Sequence, residues 1–169
     1  MNLHSIPADK IRHRELTLLA LMAAMMVASQ VALSVLPNVH LVGVLVIVTT
    51  LLFGWRALYA VFTIAFLEMA IYGAGLWVIN YFYVWPIMVL CAIPFRKVAS
   101  PLFWGIFAGL NGFTFGAQCS IPYFITGGWA AGFSYWLAGI PFDLVHGVSN
   151  IVLASLLVIP LYRLCKKLI

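Results

Sequence analysis

Apolar runs separated by short polar or Gly/Pro breaks divide the chain almost evenly. The pattern predicts six helical spans: 16–36, 39–53, 57–72, 81–95, 101–117 and 141–161. Pro37 and Asn38 break the chain after the first span, because proline lacks an amide donor and disfavours helix in the residue before it. Gly54-Trp55-Arg56 predicts a tight turn, and Gly73-Ala74-Gly75 ends the third span. Residues 76–80 then return toward the membrane, and Pro86 is a predicted kink in span four. Between spans five and six lies a long Gly- and aromatic-rich connection, 118–140, with a short interfacial helix expected at 129–138.

Within the first span, Ala20, Ala24, Ala28 and Ala32 recur every fourth residue. On a helix this aligns four methyl groups in one narrow stripe. Small side chains let another backbone approach closely, which is what holds helices together in lipid. The stripe therefore serves either packing inside the bundle or docking of another protein.

The charges follow the same rhythm. Lys10, Arg12 and Arg14 precede span one, Arg56 lies between spans two and three, Arg96 and Lys97 lie between four and five, and Arg163, Lys166 and Lys167 follow span six. The connections after spans one, three and five carry none. This alternation is the positive-inside pattern of a six-span protein with both termini in the cytoplasm. It divides the chain into a basic cytoplasmic segment (1–15), a membrane domain (16–164) and a basic cytoplasmic tail (165–169).

Composition agrees with that class. Of 169 residues, 65% are hydrophobic and 8% charged. A soluble domain is about 25% charged, so the fold expected is an all-α integral membrane protein. The net charge of +5 does not indicate nucleic acid, because the basic residues edge the apolar runs instead of forming one polar face. Cys91, Cys119 and Cys165 form no CxxC or Cys/His cluster, so no metal or cofactor is expected. Cys119 and Cys165 are assigned to opposite sides and cannot pair. The lead runs straight into span one without a small-residue cleavage site, so no removed signal peptide is expected.

The charge-free outer connections concentrate aromatic and amide residues. Trp77, Asn80, Tyr81, Tyr83 and Trp85 surround the start of span four; Gln118, Tyr123, Trp129, Tyr135 and Trp136 lie between spans five and six. Each Trp or Tyr alone fits an interfacial belt. Together with amides they have the make-up of a small-molecule pocket, with apolar walls and a few placed polar groups, and the long connection has the composition of a lid. Two carboxylates fall within spans: Glu68, and Asp143 with His146 three residues on and Asn150 a further turn along. Ionisable groups in spans are costly and mark functional positions. Asp143 either contacts a ligand or caps the start of span six after Pro141; Asn111 reads as a polar contact between helices. There is no P-loop, HExxH or GxSxG, so the chain neither hydrolyses ATP nor reads as an enzyme.

Six spans, both ends inside, and a first segment reading ALMAAMMVASQVALSVLPNVHLV resemble the substrate-binding (S) component of an energy-coupling factor transporter, a bacterial and archaeal vitamin importer. The resemblance covers nearly the whole chain. It implies a multi-pass protein of the cell membrane. It also implies that Ala20, Ala24 and Ala28 dock a transmembrane T subunit that works with two cytoplasmic ATPases. The S component would then capture a vitamin-like ligand outside and topple to release it inside. Because no Lys or Arg lies on the outer side, dianionic vitamins such as folate, and biotin, are disfavoured. A neutral or cationic ring compound, or cobalamin, is favoured.

Overall fold

A computed structural model describes residues 13–36 and 39–167. The basic lead up to residue 12, the Pro37-Asn38 break and the last two residues lie outside the described residues. The described chain is helical: α1 His13–Ala32, α2 Val42–Phe53, α3 Ala57–Tyr72, α4 Leu76–Ala92, α5 Pro101–Phe113, α6 Phe115–Cys119 and α7 Ile121–Lys166. Among the described residues there is no strand.

α2 is the centre of the bundle. Eleven of its twelve residues are buried, and it packs against α1, α3, α4 and α7. A helix apolar on every side has no preferred outer face, and the core is where it fits. Thr49 and Thr50 are tolerated there because each hydroxyl donates to a carbonyl one turn back, Leu45 O at 2.6 Å and Val46 O at 2.8 Å. Gly54 ends the helix at φ 63°, a left-handed conformation that favours glycine. Arg96 then donates Nη2 to the free carbonyls of Leu51 (3.1 Å) and Leu52 (3.4 Å).

Helix directions follow from the contacts. α2 and α4 run the same way, since Gly43 at the start of α2 faces Met88 late in α4, and Leu51 near the end of α2 meets Arg96 just past α4. α3 packs on α4 through a three-residue link and so runs against it. α1 also opposes α4: its late residue Gln30 donates to Tyr81 Oη at 3.1 Å, while its early Glu15 pairs with Arg56. α5 opposes α7, with Gly105, Gly109 and Gly112 facing Ser155, Ile151 and Gly147 in turn. α7 runs with α2, because Gly43 lies beside Asn150 and Leu51 shares a cleft with Ile159.

These directions gather all seven described Lys and Arg residues at one end of the bundle. At that end Arg56 Nη1 bonds both Glu15 oxygens, at 2.8 and 2.9 Å. The far end holds the starts of α2 and α4, α6 and the first part of α7. Four stretches are long and apolar enough to cross a membrane: His13–Ala32, Val42–Tyr72, Leu76–Phe95 and Ile121–Lys166. The second of these folds back at Gly54 into α2 and α3, which run in opposite directions.

Two stripes of small residues have opposite fates. Ala20, Ala24, Ala28 and Ala32 of α1 are exposed, while Leu19, Met22, Ala23, Met26 and Val27 face the core. The glycines of α5 are turned inward. A Cβ at Gly112 would lie 2.8 Å from Gly147 Cα, so the two backbones touch with no room for a methyl group.

The connection 118–140 goes beyond the expected loop with one short helix at 129–138. It is helical, and Gly128 at φ 74° splits α7 into limbs 121–127 and 129–166. The limbs fold on each other through Tyr123 on Tyr135 (centroids 4.1 Å apart, 16° between planes) and Phe124 on Trp129 (5.5 Å). Gly132 lies under the Phe124 ring. Pro141 does not begin a helix, because the helix runs through it from 129. At 1.5 Å per residue the limb 129–166 measures about 57 Å, roughly twice the 30 Å hydrocarbon core of a bilayer.

Candidate functional site

The far end holds a cluster of rings drawn from four elements. His40, in the segment before α2, meets His146 of α7 with ring centroids 4.6 Å apart and planes at 62°. Phe115 of α6 stands edge-on to His146 at 4.9 Å. Trp85 of α4 reaches His40 at 6.1 Å, Phe115 at 5.9 Å and Tyr81 at 6.0 Å. Trp77 stands edge-on to Tyr81 at 5.5 Å. All these contacts lie at the end without Lys or Arg.

Several polar atoms of this cluster are buried without a partner among the described residues. Both ring nitrogens of His146, Nδ1 of His40, Nε1 of Trp85 and Oδ1 of Asn150 find no hydrogen-bond partner. His146 and Asn150 are each about 1% exposed. Asn150 uses its amide on Ala108 O at 3.4 Å, which leaves its carbonyl free. An unpaired buried polar group costs roughly 1–3 kcal/mol. Several on neighbouring side chains make a donor and acceptor set that a ligand would satisfy. The set carries no charged side chain, so it suits an uncharged, ring-bearing molecule.

The other expected site residues fall into separate groups. Asn80 is buried, and Tyr83 Oη bridges its Oδ1 and the carbonyl of Gln118, each at 2.7 Å. This link ties α4 to α6. The Gln118 side chain donates to Thr114 Oγ1 at 3.1 Å. Tyr123, Trp129 and Trp136 belong to the folded-back limbs of α7, and Trp129 is 77% exposed. Glu68 is 1% exposed in α3, and neither of its oxygens has a partner.

Asp143 neither starts a helix nor bonds His146. Its Oδ1 accepts the amide of Gly116 at 2.9 Å, capping the short α6 from a residue 27 positions away. Its Oδ2 has no partner. Asp143 lines a lateral groove of about 340 Å³ with Phe115, Cys119, Tyr135 and Phe142. Phe115 lines this groove and also meets the His146 ring. An Asp143–His146 acid–base pair is not formed, because both His146 nitrogens are unpartnered.

His40, Gln30 and Phe115 were not singled out from the sequence. His40 had a readable signal, as an ionisable ring at the start of an apolar run. Among the described residues no group of three or more His, Cys, Asp or Glu side chains could hold a metal ion. The chain matches no protein-family model, no curated protein and no solved structure.

Proposed function

We propose that this chain is the substrate-binding component of an energy-coupling factor importer, crossing a bacterial or archaeal cell membrane six times with both termini in the cytoplasm. The observation that carries the reading is the outward alanine strip of α1. Ala20, Ala24 and Ala28 are exposed and take no part in the core, so their regular spacing is left for a partner. A transmembrane T subunit, acting with two cytoplasmic ATPases, fits that surface. The gathering of cations at one end supports the orientation, and the aromatic cluster with unpartnered polar atoms at the other supports capture from outside. The ligand is a neutral or cationic ring compound, vitamin-like in size, because the ring cluster offers no cation to a carboxylate.

The test is assembly. A tagged chain should bring down a T subunit and ATPases. Ala24→Trp should abolish that association while small-molecule retention, read by native mass spectrometry, is unchanged. Loss of both would make the strip part of the fold and end the reading.

Glu68 favours one second reading. An unpaired carboxylate buried in a span is a usual feature of ion-coupled carriers. A self-sufficient secondary transporter would show gradient-driven uptake in proteoliposomes without ATPase partners.

A further inference from the structure

The cations at the basic end are not spread evenly around it. Arg96, Lys97, Arg163 and Lys166 line a single cleft of about 480 Å³, between the α4–α5 turn and the end of α7. Its apolar floor is formed by Leu51, Val98 and Ile159. Tyr162 stands beside it, with the Lys166 ammonium 5.5 Å from its ring centroid. Arg96 is held in place by the α2 carbonyls it caps.

Two contrasts separate this cleft from a mere topology signal. Arg56, at the same end, is neutralised by Glu15 at 2.8 Å, whereas no described carboxylate lines the cleft. On the other face of the same end of α7, a groove lined by Leu161, Leu164, Leu18 and Phe53 carries no charged residue. The positive-inside rule asks for cations at this end. It does not ask that four of them converge on one concavity while the opposite face has none.

We propose that this cleft binds the phosphate of an anionic phospholipid headgroup in the leaflet at the basic end. Basic pockets between spans at the cytoplasmic surface recognise such headgroups. Guanidinium and ammonium groups supply charge-assisted hydrogen bonds to phosphate oxygens. The apolar floor suits a ligand whose glycerol end continues into hydrocarbon. A lipid is favoured over a soluble phosphate because the membrane holds headgroups beside the cleft at high local concentration. The assignment requires only that the bundle sits in a membrane; it stands or falls separately from the importer reading.

The test compares the purified full chain with phosphatidylglycerol, phosphatidylcholine and glycerol phosphate. The readouts are lipid adducts in native mass spectrometry and thermal melting in detergent. Phosphatidylglycerol adducts should exceed phosphatidylcholine adducts. Lys97→Gln with Arg163→Gln should lower phosphatidylglycerol affinity about twenty-fivefold, at about fivefold for each cation. Arg14→Gln with Lys167→Gln removes the same charge outside the cleft lining and should leave the preference intact. Equal losses in the two double variants, or equal adducts of the two lipids, would overturn the site. Full stabilisation by glycerol phosphate alone, with displacement of the lipid, would overturn the lipid and leave a soluble phosphate ligand.

Discussion

His40 and His146 lie 106 positions apart in sequence, yet their rings meet at 4.6 Å with three nitrogens between them unpartnered. Nothing among the described residues satisfies those atoms, so the fold carries their cost. A residue kept for packing would be expected to pay its way in stability; one kept for a ligand need not.

This gives a signed prediction for His146→Phe. The substitution keeps a ring of similar size and removes both unsatisfied nitrogens. The melting temperature in detergent should hold or rise. Retention of a small molecule in native mass spectrometry should fall by roughly tenfold, as expected for a lost hydrogen bond of about 1.4 kcal/mol. A drop in melting temperature with retention unchanged would assign the pair to structure.

The α5–α7 contact predicts strict intolerance of bulk. In Gly112→Ala the added methyl would meet the Gly147 backbone at 2.8 Å, and no side chain can rotate away to relieve it. The helices must separate, at a cost of about 1–3 kcal/mol. A fall of several degrees in the melting temperature is the expected result. Ala20→Leu, on the exposed stripe of α1, should change it little. Equal melting of Gly112→Ala and the parent chain would mean that the two backbones are not in contact.

The Glu15–Arg56 pair predicts a double-mutant cycle. Arg56 is buried, with its side chain 8% exposed, and Glu15 supplies both oxygens to it. Glu15→Gln leaves the guanidinium without its counter-ion and should cost about 2 kcal/mol, below the range for fully buried pairs. Adding Arg56→Gln should recover part of that loss, because the uncompensated charge is gone. Strictly additive effects on chemical denaturation would show that the two groups do not couple.

Much of the bundle was readable from local pattern. Span three was placed at 57–72, the bounds of α3. The turn at Gly54 and the start of α5 at Pro101 also coincide with the structure. These features depend on glycine and proline backbone geometry, which acts within a few residues. The start of α4 was misplaced: Leu76, not Tyr81, opens it, because aromatic residues are equally at home at an interface and inside a helix. The connection 118–140 was read as a loop with one short helix at 129–138; the helix there is present, but it is part of a far longer one. Only Gly128 adopts a left-handed conformation there; Gly132 is used instead for packing under Phe124. Tyr81, Trp85 and His146 belong to the ring cluster, while Tyr123, Trp129 and Trp136 pack in the α7 hairpin. Helical spacing puts residues on a common face without saying what that face meets.

The sequence by itself determined that the chain is apolar and helical, and that its cations alternate between connections, because hydropathy, charge and chain breaks are properties of short stretches. Only the tertiary structure decided which small-residue stripe is buried and which is exposed, and that His40 would stand against His146. In lipid the solvent is as apolar as the core, so hydrophobicity cannot tell an inward face from an outward one. That choice is made by the fit of side chains between helices distant in sequence.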